Sequence, residues 1–270
     1  MDEQNYIIEA CNIKQYFTIR SDYTVKAVDD VSFGIKSGEV FGLVGETGCG
    51  KSTMAKCLCG IYNPTAGEVR YEDHVVSGKK ADKEYVEKRK KETQIIFQDS
   101  AAALNPRMTV EDIVLEPLLI QRGIPNKAEA TAKALKMLED VGLGREHLGK
   151  LPAELSGGQR QRVSIARSLI VDPKLIIADE PIASLDISIQ AQIINLFKEL
   201  REKRNFAILF VAHDLSVVRF ISDRVGVMYN GKLVETATTE EVFNDPQHEY
   251  TKTLLSCGLY FSAQTIKQGR

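Results

Sequence analysis

The sequence predicts an α/β fold, a parallel sheet covered on both faces with a helical subdomain inserted into it. Short continuous apolar runs recur at Val40–Val44, Leu175–Ala178 and Ala207–Ala212, and Gln94–Phe97 is a further short strand candidate. Continuous runs, rather than alternating ones, are what strands buried on both faces require. Each run ends in glycine or polar residues, and helical patterns separate them. Polar residues at the carboxyl ends of such strands are how open α/β sheets build sites.

Val40–Val44 is followed by glycines and then by a helical pattern, giving strand, loop and helix. Lys79 to Lys91 is dense in charge and reads as a solvated helix face rather than a nucleic-acid patch. Asn105 to about Leu155 differs in character. Within it Asn126 to Val141 has helical spacing, with Ala130, Ala134, Leu135, Leu138 and Val141 on or near one face. These features place a helical subdomain at approximately 100–165. A further helix is expected from Arg160 to Val171. No internal repeat or low-complexity tract interrupts the pattern.

The 270 residues are enough for one large domain with a sizeable core, and the whole of 1–270 is read as one domain with a short extension at 240–270. Hydrophobic residues make up 43% and charged residues 27%, ordinary values for a globular chain. A net charge of -2 provides no global field favouring nucleic acid or an anionic membrane. Five scattered cysteines (Cys11, Cys49, Cys57, Cys59, Cys257) do not form a disulfide framework, and reduced thiols in the cytosol are expected. Residues 1–10 contain acids and no apolar core, so no signal peptide is expected. No run approaches the roughly 18 to 20 apolar residues that span a bilayer, so a pore would have to come from another chain.

Gly45-Glu-Thr-Gly-Cys-Gly-Lys-Ser52 fits the P-loop pattern, GxxxxGK followed by Ser or Thr. A triphosphate presents dense negative charge and needs many donors at close range. Gly45, Gly48 and Gly50 let the backbone approach with its N–H groups turned inward. Lys51 adds a positive charge for the β- and γ-phosphates, and Ser52 can ligate magnesium. The helix that opens here, through Cys49 to Thr53, aims its positive end at the phosphates. The strand before and the helix after are the context the motif requires.

Leu175 to Glu180 is an apolar strand ending in two acids. Carboxylates in such a place are costly unless a cation or proton is present. Magnesium near Asp179 supplies one, and Glu180 is then a candidate to orient or deprotonate the attacking water.

Leu155-Ser-Gly-Gly-Gln159 lies between these motifs, ahead of a helix, and resembles the signature of the ABC ATPase family. The rest of the family pattern follows in order. Gln98 matches the Q-loop glutamine, Ala183-Ser184-Leu185-Asp186 is similar to the D-loop, and His213 stands at the place of the switch histidine. Phe17, next to Tyr16, matches the aromatic that stacks on adenine. The resemblance covers about Tyr6 to Ser256. It implies a RecA-like P-loop NTPase core, an N-terminal antiparallel β part, and ATP with Mg2+ as ligands. It also implies Ser52, Gln98 and Asp179 as metal ligands, and Glu180, His213 and Gln98 as the hydrolytic set. In this family Ser156, Gly157, Gly158 and Gln159 face the γ-phosphate held by a second ATPase, with Asp186 beside them, so that two chains close head to tail. By itself Ser156 at a helix start can bind an anion or simply cap the helix.

Finer resemblance points to the oligopeptide, dipeptide and nickel importer branch. The segments are Val25–Phe33, Leu104-Asn-Pro-Arg-Met-Thr-Val110, Asp186–Gln192 and His248-Glu-Tyr-Thr-Lys-Thr-Leu-Leu255. The intact signature is similar to the F-type partner of a D/F heterodimer. The resemblance implies two permease chains, a second ATPase, an extracellular binding protein acting indirectly, no nucleic-acid partner, and a peripheral place on the cytoplasmic face of the membrane. His248-Glu249 replaces the usual His-Pro. Ala101-Ala102-Ala103 stands where polar residues or proline are commoner, near where the family docks its permease. Some members carry a cysteine cluster after the C-terminal segment; here there is Cys257 alone, and no iron–sulfur cluster is expected. The alternatives are a nickel or other small-solute importer and a non-transport complex such as that of phosphonate degradation. DNA-repair and ribosome-acting relatives fit worse, since they carry two cassettes or a long coiled-coil insertion.

Overall fold

The structure, a computed structural model, describes residues 6–20, 23–98, 103–121 and 126–256. The strands are β1 (Tyr6–Arg20), β2 (Tyr23–Lys36), β3 (Val40–Val44), β4 (Ala66–Tyr71), β5 (His74–Val75), β6 (Thr93–Ile96), β7 (Leu175–Asp179), β8 (Ala207–Val211), β9 (Arg224–Tyr229) and β10 (Lys232–Thr238). The helices are α1 (Lys51–Cys59), α2 (Lys83–Glu92), α3 (Val110–Gln121), α4 (Lys127–Asp140), α5 (Gly157–Leu169), α6 (Ile187–Arg204), α7 (Leu215–Ile221) and α8 (Thr239–Asn244). A further helical stretch covers 249–256. The chain divides into two compact units, one made of Met1–Val86 with Ala207–Arg270, the other of Glu87–Phe206.

In the first unit β2, β1, β4 and β5 form an antiparallel sheet. This is the N-terminal β part that the resemblance implies. The same unit holds the strand order β10-β9-β3-β8. β3 runs parallel to both β8 and β9, with Leu43 opposite Val211 and Val44 opposite Val227. Every residue of β3 and β8 is buried, as their unbroken apolar sequences require. Each large aliphatic side chain so buried stabilises the fold by about 1.5–3 kcal/mol. β9 and β10 form an antiparallel hairpin at the edge of this set, which the expectation of a purely parallel sheet had omitted. Their Asn230-Gly231 turn has positive φ at both residues (47° and 78°), the backbone of a tight turn that matches strand twist. The entry to β3 is fixed by polar contacts. The Val40 N–H donates to Asp223 at 2.8 Å, and buried Glu39 accepts from Arg224 at 3.1 Å.

In the second unit β6 and β7 pair in parallel, Ile96 opposite Ala178. Around them lie α3, α4, α5 and α6. Asn126 caps α4 by accepting the Ala128 N–H at 2.8 Å, so the helix starts where its capping residue dictates. The buried face of α4 is Ala130, Ala134, Met137 and Leu138, followed by Val141. Leu135, expected on that face, is only half-buried, and Met137 takes its place because it completes the i, i+4, i+7 spacing from Ala130. Asp140 and Asp172 both pair with Arg204, at 2.6 and 2.7 Å. The helical insert expected at approximately 100–165 falls inside this unit, which also takes in β6, β7 and α6. Ala101, Ala102, Cys257 and residues 1–5 lie outside the described residues.

Candidate functional site

In the first unit the loop 45–50 leaves the carboxyl end of β3 and enters α1. Gly50 caps the helix in the left-handed region, at φ 110°. A Cβ on Gly50 would lie 2.1 Å from the Ala27 carbonyl oxygen, and one on Gly45 2.2 Å from that of Met228. Only glycine fits at either place. Lys51 is buried, and its ammonium donates to the Gly45 and Glu46 carbonyl oxygens at 2.7 and 2.9 Å. Its remaining contact is with Cys49 Sγ at 3.9 Å, and Lys51 also lines a cleft of about 350 Å³. Gly48, Gly50, Lys51, Ser52 and Thr53 line it together with residues 25–27 and the Asn230-Gly231 turn. Glycine-rich backbone, a helix N-terminus and a lysine around one cleft make an anion site sized for a phosphate chain.

Cys49 is buried in that loop, with Sγ 3.9 Å from the Lys51 ammonium. Burial pushes its thiol up, and the pull of Lys51 in the other direction is the smaller effect. Phe17 does not line the cleft; it sits on β1 opposite Val25, which does. Its ring meets that of Tyr62 edge-on, centroids 5.4 Å apart. Asn230 and Gly231, which do line the cleft, are residues that sequence reasoning missed. His213 follows β8 as the P-loop follows β3, and the register Leu43–Val211 puts Gly45 and His213 at the same end of the paired strands. His213 is exposed, so it is not a core histidine. The next residue, Asp214, caps α7 by accepting the Ser216 N–H at 2.8 Å.

The second unit repeats this placement. With Ile96 opposite Ala178, Gln98 and the pair Asp179 and Glu180 stand at one carboxyl end of β6 and β7. Gln98 is exposed, Asp179 is buried, and Glu180 is half-buried. Glu180 has φ 49°, left-handed backbone that costs a side-chain-bearing residue about 1–2 kcal/mol. Such strain collects at functional positions.

Ser156 caps α5 through a reciprocal pair. Its hydroxyl accepts the Gln159 N–H at 3.3 Å, and Gln159 Oε1 accepts the Ser156 N–H at 3.0 Å. The helix therefore begins at Gly157, not at Arg160 as the sequence suggested, and both signature glycines lie in its first turn. Gln159 Nε2 also sits 3.2 Å from Nε2 of His147, so this side chain is committed to the cap and to that imidazole. A Cβ on Gly158 would come within 2.8 Å of Ile189 on α6. Asp186 is exposed at the start of α6 without a side-chain capping bond. A groove of about 240 Å³ lies beside Phe97, lined by Glu116, Pro117, Ile120 and Arg167 among others. Arg167 donates to Glu116 at 2.8 Å.

A glycine-rich loop with a buried lysine after one parallel strand, two acids at the end of another, and a capped glycine signature between them in the chain mark a nucleotide-hydrolysing cassette. The chain belongs to the ABC transporter family, whose model matches residues 28–183. It is 52% identical over 93% of its length to "Oligopeptide transport ATP-binding protein OppF" of Bacillus subtilis, covering 81% of that protein. It is 46% identical over 95% of its length to "Dipeptide transport ATP-binding protein DppF" of Lactococcus lactis, covering 82% of it. Among solved structures it is similar to the dimeric ATP-binding cassette MJ0796 bound to ADP and Pi, with TM-score 0.75, 30% identity, and 86% and 98% of the two chains covered. As a member of this family the chain is an ATPase.

Proposed function

We propose that this chain energises an importer of oligopeptides or dipeptides by binding and hydrolysing ATP. The observation that carries the reading is the 52% identity to an oligopeptide transport ATP-binding protein across nearly the whole chain, with the P-loop, the strand-end acids and the signature all intact. The loop 45–53 holds the phosphates, and Phe17 lies against adenine. Ser52 in the first unit and Gln98 and Asp179 in the second are oxygen donors of the hard kind Mg2+ prefers, and each would be a ligand for it. Mg2+ would supply charge neutralisation to the phosphates. Glu180 orients or deprotonates the attacking water, and His213 and Gln98 contact the γ-phosphate end of the site.

A second cassette completes the machine head to tail, its γ-phosphate facing Ser156, Gly157 and Gly158 of this chain across the dimer. Asp186 lies at that interface. A capped helix N-terminus with two glycines suits an oxyanion. Two permease chains provide the membrane path, since no helix among the described residues is long and apolar enough to cross a membrane. The groove beside Phe97, with Ile120 78% exposed on its rim, suits permease docking, and the chain then works at the cytoplasmic face.

The test is to isolate the tagged chain from detergent-solubilised membranes and identify its companions by mass. Two permease-like chains with a second ATPase are expected. Recovery with soluble enzymes alone moves the function to a non-transport complex and leaves the ATPase standing.

A further inference from the structure

The peptide plane between Gly45 and Glu46 is gripped from both edges. On one edge the Gly45 carbonyl accepts from the Lys51 ammonium at 2.7 Å. On the other the Glu46 N–H donates to the Tyr250 hydroxyl at 3.1 Å. No cis peptide occurs among the described residues, and a trans peptide points its C=O and N–H in opposite directions. Tyr250 and Lys51 therefore fix one rigid plane between them.

Tyr250 belongs to the helical stretch 249–256, and that stretch is itself anchored. The Tyr250 ring stacks on Tyr229, centroids 4.1 Å apart. The Glu235 carboxylate accepts the Gln247 and His248 N–H groups at 2.8 and 3.0 Å. His248 Nδ1 accepts the Tyr250 N–H at 3.1 Å, in the manner of a helix cap. Tyr229 also leads into the turn whose Gly231 N–H donates to the Cys49 carbonyl at 3.0 Å. The phosphate loop is thus held from outside at Glu46 and at Cys49.

We propose that Tyr250 is a positioning residue for ATP binding, its hydroxyl holding the 45–46 peptide whose carbonyl docks Lys51. An ammonium has three donors; two are given to the Gly45 and Glu46 carbonyls, and the third faces Cys49 Sγ at 3.9 Å, a weak acceptor that a phosphate oxygen would displace. The direction of the third follows from where those carbonyls are held. Loss of the Tyr250 bond lets the plane rotate and leaves Lys51 less well aimed. The proposal rests on the assignment of Lys51 to the phosphates.

The experiment compares Tyr250→Phe with wild type in the full-length chain. The substitution removes one oxygen and keeps the ring on Tyr229. Titration with Mg·ATP is expected to give an affinity about three- to tenfold weaker, the worth of one hydrogen bond. ATPase rate at saturating ATP is expected to stay within about twofold, because the interaction is lost equally in ground and transition states. Labelling of Cys49 by a maleimide without nucleotide should accelerate, while the unfolding temperature stays level. Thr253→Val, on the same helical stretch but away from the loop, should leave all of these unchanged. Lys51→Ala serves as the reference. If Lys51→Ala abolishes ATP binding and Tyr250→Phe binds like wild type, the positioning role is refuted and the phosphate loop stands. If Lys51→Ala also binds like wild type, the loop assignment itself falls. A drop in saturating rate and in unfolding temperature together, with unchanged affinity, would mark Tyr250 as a structural residue only and overturn the proposal.

Discussion

The Lys51 ammonium donates at 2.7 Å to the carbonyl oxygen of Gly45, so the cation proposed to meet the phosphates is braced by the loop it belongs to. Lys51→Ala removes both the charge and the brace. ATP affinity is expected to fall about ten- to a hundredfold, the range for hydrogen bonds to a charged group. Equilibrium titration with Mg·ATP reads this directly, and an unchanged dissociation constant would refute the assignment.

Gly45→Ala tests the other end of the same brace. A Cβ there would stand 2.2 Å from the Met228 carbonyl, at a φ of 148° that side chains rarely adopt. The loop must shift, and the strained backbone costs about 1–3 kcal/mol. Thermal unfolding should move down and ATP binding should be lost together. A variant with wild-type stability and affinity would show that the loop tolerates a second path.

Glu180→Gln keeps the length and shape of the side chain and removes its basicity. ATP binding should persist while hydrolysis slows by about 10²–10⁴-fold. A nucleotide-bound dimer should accumulate, visible as a shift in size-exclusion chromatography on adding ATP. Wild-type turnover in this variant contradicts the role given to Glu180.

Cys49 offers a reporter inside the loop. Burial holds its thiol above the ordinary value of 9.0, so thiol labelling should be slow at neutral pH and quicken as the pH rises past 9. Cys57, whose thiol burial pushes up to about 12, should stay unlabelled in the folded chain. A bulky reagent on Cys49 should block nucleotide, and ATP should protect the thiol. Mass mapping of the labelled peptide decides both points.

Glu235 sets an acid limit on the C-terminal helical stretch. Burial pushes its carboxyl up, but the Gln247 and His248 N–H groups that donate to it outweigh this and hold it below the ordinary 4.5. A carboxyl depressed in the folded state contributes stability that is present above its unfolded value. That stability is lost as the pH falls through the lower folded value. Stability measured from pH 7 down to 3 should therefore fall below about 4.5, and Glu235→Gln should flatten part of that limb. Identical acid profiles for both chains would rule Glu235 out as the source.

Much of this was legible from residue order alone. β3 needed only five apolar residues followed by glycines, and α4 announced its start with Asn126. The strand-end acids and the phosphate loop were readable because their chemistry restricts residue type. The start of α5 was misread because glycine disfavours helix, although Ser156 and Gln159 carry the capping-box spacing that overrides it. The β9–β10 hairpin was missed even though Asn230-Gly231 is a strong local turn signal. Tyr250 could not be found this way. It acts through a partner distant in the chain, across 204 positions to Glu46, and no local pattern encodes such a meeting.

Glu180 carries a consequence for how this chain can be improved. At φ 49° its backbone suits glycine or asparagine better than glutamate. Selection for thermal robustness alone would drift toward those residues and discard the carboxylate proposed to act on the attacking water. A laboratory screen for hardier variants should therefore enrich inactive ones at this position unless turnover is scored alongside. On the proposed role of Glu180, the backbone at residue 180 sets durability against work, and the glutamate found there favours work.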